Sequence, residues 1–400
     1  MMIAVTSHFT SSDGAWPAPS PRRHRRRPRL RGWVIALVLA VVLAVAGATI
    51  PVNAVIESPG PTWNVLGSAD ASDSETESGQ SASIISVEGT TTYPAAGALR
   101  MTTVAVRGCP GYPVTTFDLI AAWLSPEQTV VDRESVCPSS MSAEQVEQAN
   151  QAQMTSSEQA AVVAALLESG QAARTILTIQ SIAEEQKTAD VRSGDVLVSL
   201  TPAGAQTTTI NSFSQLRERM STIAPGTSVT LGLQRDGEAT QTTLTTIAPS
   251  DEDGDGEPDS SGSLLGLMLQ VSADSPVTAS FGLQDVGGPS AGMMFTLGII
   301  DSITPGDLTG GKDIAGTGTI SVDGSVGPIG GIAQKMVGAK ESGSAFFLAP
   351  ADNCSDVVGH EPEGIQVYAV ATLHEAVQAV QAIASGDTSS LSSCQAVLTR

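Results

Sequence analysis

Residues 33–50 read Trp-Val-Ile-Ala-Leu-Val-Leu-Ala-Val-Val-Leu-Ala-Val-Ala-Gly-Ala-Thr-Ile, eighteen positions without a charge. At about 1.5 Å of rise per residue, that run just spans a hydrocarbon core and predicts a transmembrane helix. Beyond it the apolar periods shorten. Residues 84–106 alternate well enough to predict strands around a turn at Gly89. Thr155-Ser-Ser-Glu158 precedes Gln-Ala-Ala-Val-Val-Ala-Ala-Leu-Leu and predicts a helix opened by a capping box. A helix signal runs from Ser212 to Met220, and residues 229–237 alternate into 243–247. Ala291-Gly-Met-Met-Phe-Thr-Leu-Gly-Ile-Ile is long enough for a buried helix, and Ile332, Met336 and Ala339 share one face of a helix closed by Gly343. Between these elements, residues 68–83 and Asp251-Glu-Asp-Gly-Asp-Gly-Glu-Pro-Asp259 are polar or acidic stretches with little to bury.

Charge orients the first element. Seven arginines lie within residues 22–31, all on the N-terminal side of the apolar run. The positive-inside rule therefore keeps residues 1–32 cytoplasmic and puts the rest outside the cell membrane. A cleavable signal peptide is the rival reading, with Ala46-Gly47-Ala48 as its cleavage site. The length of the apolar run favours an uncleaved single-pass anchor. From Trp33 onward the chain carries 13 basic against 40 acidic residues, a formal charge of −27. Such a surface excludes non-specific binding to nucleic acid or anionic headgroups. A hydrophobic content of 41% suits a folded protein of two compact domains, and an aromatic content of 4% predicts aliphatic cores.

All four cysteines, Cys109, Cys137, Cys354 and Cys394, follow the apolar run. An even count in an oxidising compartment suggests two disulfides, most economically Cys109 with Cys137 and Cys354 with Cys394, although three pairings are open. Neither these cysteines nor His360 and His374 have the spacing of a zinc site. The Asp251–Asp259 stretch has the aspartate spacing of a calcium loop, but Gly262 stands at the twelfth position where glutamate is required. It reads as a linker. Gly306-Asp-Leu-Thr-Gly-Gly311-Lys312 resembles a phosphate loop only until Asp313, where Ser or Thr is needed, and reads as a turn. No metal and no cofactor is expected.

The chemistry concentrates near the C-terminus. Gly287-Gly288-Pro289-Ser290-Ala291-Gly292 offers a hydroxyl beside the start of the apolar helix, whose free amides can bind an oxyanion. Gly330-Gly331-Ile332-Ala333-Gln334-Lys335 follows with an amine. A serine needs a base to become nucleophilic, and a lysine can be that base once burial makes its amine neutral. Taken alone, Lys335 reads as a surface lysine and Ser290 as a cap or turn serine. Together, and with Leu308-Thr-Gly-Gly, Ala315-Gly-Thr-Gly-Thr-Ile320 and Val326-Gly-Pro-Ile-Gly-Gly-Ile332 between them, they closely resemble the proteolytic domain of Lon-type serine peptidases. The likeness covers roughly residues 264–380 and continues weakly in Pro59-Gly60 and in Leu99-Arg-Met-Thr-Thr-Val104. It implies Ser290 as nucleophile, Lys335 as base and Thr317 as a supporting hydroxyl. Many Lon enzymes carry an acidic residue three positions before the serine, where this chain has Gly287.

Residues 176–247 resemble a PDZ domain, through Ser193-Gly-Asp-Val-Leu197, the helix signal at Ser212, Pro225-Gly226 and the alternation that follows. A fold of that kind adds an extended peptide to a sheet edge. The expected architecture is α+β: a cytoplasmic Arg-rich arm (1–32), a transmembrane helix (33–50), an N-terminal extracytoplasmic region (51–168), a PDZ-like β-rich domain (169–249), an acidic linker (250–262), a Lon-like proteolytic domain (263–385) and a tail (386–400). The resemblances imply a serine endopeptidase acting on unfolded or flexible extracytoplasmic proteins, with a peptide ligand at the PDZ-like domain and homo-oligomers as further partners; no ATPase pattern accompanies the peptidase and an extracytoplasmic location offers little ATP, so it is expected to be ATP-independent. The alternative is a catalytically silent peptide-binding scaffold of the cell envelope. A third reading is a protease silent until it assembles.

Overall fold

The computed structural model describes residues 30–68, 83–109, 112–186, 190–250, 261–283 and 286–399. Residues 1–29 of the Arg-rich arm, most of the polar 68–83 stretch and the Asp251–Asp259 linker lie outside the described residues. The chain divides into two compact units, residues 1–50 and 51–400. In the first, one helix, Leu30–Thr49, contains an apolar stretch, Gly32–Thr49, long enough to cross a membrane.

In the second unit, two large sheets organise the mixed α+β fold. One is antiparallel, with Glu238–Thr245, Ser228–Arg235, Val196–Pro202, Thr175–Ile182 and Leu267–Ala273 side by side and Thr208–Thr209 attached to Val196–Pro202. The alternation seen in the sequence becomes a hairpin here. Asp236 and Gly237 close it at φ 51° and 86°, the positive-φ pair that suits the twist of adjoining strands. Leu177, Ile179, Leu197, Leu200, Leu231 and Leu244 point into its core, over which the helix Phe213–Ser221 packs through Leu216 and Met220.

The other sheet runs Gln366–Val370, Phe346–Pro350, Asp313–Gly316, Ala98–Arg107, Val55–Asn64, Thr129–Val131. Its first four strands are parallel and its last two pairings antiparallel. The helix Gly292–Ile303 is its central support, with Met293, Met294, Phe295, Leu297 and Ile299 all without solvent contact. Each such side chain is worth about 1.5–3 kcal/mol over leaving it exposed, so this helix is a rigid platform.

Sheet pairing crosses the boundaries expected from sequence. Leu267–Ala273, beyond the linker, completes the antiparallel sheet, while Val55–Asn64 and Ala98–Arg107 belong to the same sheet as residues 313–370. One local expectation needs correction. The helix expected to open at Thr155 begins twelve residues earlier, at Ala143, with Ser142 and Gln145 forming the capping box. Glu147, Gln148 and Gln151 hide this polar first half from hydrophobic periodicity. Strands do flank Gly89, which has φ 84°, but each pairs elsewhere in the fold. Ile85–Glu88 pairs with Thr278–Phe281, and Ala98–Arg107 joins the large sheet.

Candidate active site

Three chain segments bring Ser290, Thr317 and Lys335 together. Ser290 lies in the turn before the helix Gly292–Ile303, Thr317 follows the strand Asp313–Gly316, and Lys335 sits in the first turn of the helix Ile332–Glu341. The Lys335 Nζ lies 2.7 Å from Ser290 Oγ and 3.0 Å from Thr317 Oγ1. Thr317 also donates from Oγ1 to the Ser290 carbonyl at 3.0 Å, and the Gly318 amide donates to that carbonyl at 2.9 Å. The Ser290 turn is thus held from below, with both hydroxyls on the amine.

Local sequence fixes the amine's position. Asn353 is buried and grips the Ile329 amide and carbonyl, which sets the path of the chain into Gly330-Gly331. Gly331 has φ 67°, and a Cβ there would come within 2.6 Å of Val104 Cγ1. Only glycine satisfies both demands. From there the helix directs Ile332, Met336 and Ala339 into the core and places Lys335 among them with 2% exposure.

That burial decides the protonation state. It pushes the Lys335 ammonium from its ordinary 10.5 down to about 7, while the nearby Glu57 carboxylate pulls the other way. Burial likewise pushes the Glu57 carboxyl above its ordinary range, partly offset by Lys335. Glu57 was not among the sequence candidates. It sits on the strand Val55–Asn64 opposite Val106 and Thr129, and its Oε2 would lie 3.2 Å from a Cβ on Gly331. Gln334 ties the same helix to Thr129 by a 2.7 Å hydrogen bond.

The long helix Ala143–Glu168 braces the Ser290 turn from the other side. The Gly288 amide donates to the Asn150 carbonyl at 3.0 Å, and Ser157 Oγ donates to the Pro289 carbonyl at 2.9 Å. A Cβ on Gly287 would meet Asn150 Cβ at 2.8 Å, so the place of the missing acidic side chain is occupied by this helix. No local pattern links Asn150 or Ser157 to residue 290. The expectation of free helix amides also needs narrowing: the Gly292 and Met293 amides already donate to Pro289 and Gly318 carbonyls.

Other sequence candidates take structural roles. Asp313 accepts from Arg100 Nε through both oxygens, at 2.9 and 2.8 Å, and from Ser344 at 2.7 Å, which locks adjacent strands. His374 Nδ1 lies 2.8 Å from Glu168 Oε1. Cys109 is joined to Cys137 and Cys354 to Cys394, at Cα separations of 5.7 and 4.8 Å.

Comparison with known proteins bears on the segment that holds all three site residues. Residues 281–384 match the family model of the Lon protease (S16) C-terminal proteolytic domain. The chain carries a Lon-type proteolytic domain. It is similar to Lon protease 1 of Sorangium cellulosum, at 38% identity over 93 residues, which cover 22% of this chain and 11% of that protein. Lon protease 2 of Bacillus subtilis is 36% identical over 97 residues, 24% of this chain and 17% of its own length. Lon protease of Phenylobacterium zucineum is 45% identical over 69 residues, 17% of this chain and 8% of its own. The chain therefore spans less than a fifth of the length of these relatives.

Proposed function

We propose that this protein is a membrane-anchored serine endopeptidase that works through a Ser290–Lys335 dyad, without ATP, on extracytoplasmic protein segments. The observation that carries the reading is the buried Lys335 amine 2.7 Å from Ser290 Oγ, with its pKa brought to about 7. In the neutral form, Nζ takes the Oγ proton as Oγ attacks the peptide carbonyl, then returns it to the leaving amine; a water repeats the sequence on the acyl-enzyme. Thr317 orients the amine through its hydroxyl. With the Gly292 and Met293 amides engaged, those of Ser290 and Ala291 are the donors for the oxyanion.

The antiparallel sheet supplies a place to present substrate. Leu267–Ala273 is one of its two edge strands, and a cavity of about 560 Å³ beside it is lined by Phe213, Leu216, Met220, Leu264, Leu267 and Leu269. An edge strand flanking an apolar groove fits capture of an extended peptide, as the PDZ-like reading of residues 169–249 requires.

Full-length protein incubated with unfolded casein, beside Ser290→Ala and Lys335→Ala, tests the reading. Cleavage by the parent and none by either variant is expected, with the double variant hardly worse than each single one. Substantial turnover by Ser290→Ala refutes the dyad, and an inactive parent that still binds peptide favours the scaffold alternative.

A further inference from the structure

The helix Thr116–Leu124, Thr-Phe-Asp-Leu-Ile-Ala-Ala-Trp-Leu, is apolar on both sides. Its inner side is accounted for: Leu119 and Ala122 pack with Val52, Ile56 and Val114 in a small core. Its outer side is not. Trp123 is 88% exposed, Leu124 81%, Ile120 49% and Phe117 48%, and Tyr112 just before the helix is 68% exposed. Five large apolar or aromatic side chains within thirteen residues, none needed by the core, mark an interaction surface.

Its place in the chain identifies the partner. Pro51 pairs with Thr115 and Val52 with Val114 in a short antiparallel ladder, and Thr115 is the N-cap of this helix. Pro51 is one peptide bond from Ile50, the end of the apolar run. The N-cap thus lies within about 5 Å of the first residue past the span, and nine helical residues extend only about 14 Å from it. Charge agrees. Around it, residues 98–137 are close to neutral, with four carboxylates against three arginines, and the helix's single carboxylate, Asp118, is held by Thr115 and lies 3.7 Å from Arg107. Arg133 stands near the same entry point, donating to Asn53 at 2.9 Å. Aromatic and aliphatic side chains with flanking arginines are the composition of an interfacial belt.

We propose that the outer face of the helix Thr116–Leu124 docks onto the lipid–water interface, with Trp123 and Leu124 entering the headgroup and upper acyl region. The proposal rests on the reading of residues 33–50 as a membrane anchor.

Tryptophan quenching in the full chain separates the two ideas. The protein is reconstituted into phosphatidylcholine vesicles with lipids doxyl-labelled near the headgroup, as parent, Trp33→Phe and Trp123→Phe. Trp33 reports the span and Trp123 the docking face. Each substitution is expected to remove its own share of lipid-quenchable emission, and Trp123 is expected to lose most of its sensitivity to aqueous iodide on passing from detergent to vesicles. Quenching of Trp33 alone, with Trp123 open to iodide in vesicles, overturns docking and leaves the anchor standing. Shielding of Trp123 from both quenchers means a protein covers this face and also overturns the proposal. Absence of lipid quenching at both positions overturns the anchor and the docking together.

Discussion

The pH dependence of the dyad follows from the placement of one buried amine. In the proposed mechanism Lys335 serves as a base only when neutral, and a pKa of about 7 makes about half of it neutral at that pH. Below, each pH unit removes the active form tenfold: about a tenth remains near pH 6 and about a hundredth near pH 5. The kcat/KM for a fluorogenic peptide should therefore rise tenfold per unit on the acid side and level off at mildly alkaline pH. Glu57 modulates the limb. Its carboxylate favours the ammonium, so Glu57→Gln removes that support and moves the acid limb to lower pH while leaving the plateau. A residue that only stabilised the fold would lower the plateau without moving the limb. Lys335→Arg should be inactive at every pH, because a guanidinium does not give up its proton in a protein. A profile that falls through the neutral range, an active arginine variant, or a Glu57→Gln limb displaced to higher pH each refutes the reasoning.

Burying an ammonium also costs stability. The folded pKa of Lys335 lies below its unfolded value, so the cost is full below about pH 7 and fades as pH rises through the ordinary 10.5. It amounts to about 5 kcal/mol, against which stand about 1 kcal/mol for each hydroxyl contact. Lys335→Met should thus raise the urea midpoint, more at neutral than at strongly alkaline pH; an equal gain at both would contradict the linkage. Gly287→Asp should cost about 1–3 kcal/mol and impair turnover, since its Cβ meets Asn150 Cβ at 2.8 Å. Adding Asn150→Gly should recover part of the loss, and strictly additive effects would argue against the contact. Replacing Cys354 and Cys394 by serine should cost about 3–4 kcal/mol in the chain-entropy model for a separation of 40 residues, read as a lower Tm.

The pairing of Ser290 with Lys335 in space was legible because the two lie in short, glycine-rich segments whose residue types admit few alternatives. Gly331 illustrates this: its positive φ and its contact with Val104 explain why a glycine pair precedes Lys335. The hairpin at Asp236-Gly237 and the helix at Ser212 were legible for the same local reasons. What escaped depends on pairing at long range. Glu57 reaches the amine only because its strand is sandwiched between Ala98–Arg107 and Thr129–Val131, a register that no periodicity encodes. The start of the helix Ala143–Glu168 escaped because its first half is polar, and the signal that could have found it, Ser142 with Gln145, was overshadowed by Thr155 and Glu158.

These long-range parts give the Lon-type segment a local dependence on the rest of the chain. Residues 281–384 hold Ser290, Thr317 and Lys335, yet the groups that tune and brace them come from residues 57, 129, 150 and 157. Glu57 acts on the charge of the amine, Thr129 anchors its helix, and Asn150 and Ser157 fix the turn that presents the hydroxyl. The long helix that carries Asn150 and Ser157 also packs on Leu267–Ala273, the edge strand beside the apolar groove. A peptide added to that edge would therefore lie against the same helix that holds Gly288 and Pro289. On the proposed reading binding and catalysis would share one rigid element, so substitutions at the Ser157 contact are expected to act on turnover through the position of Ser290 rather than through the protonation of Lys335.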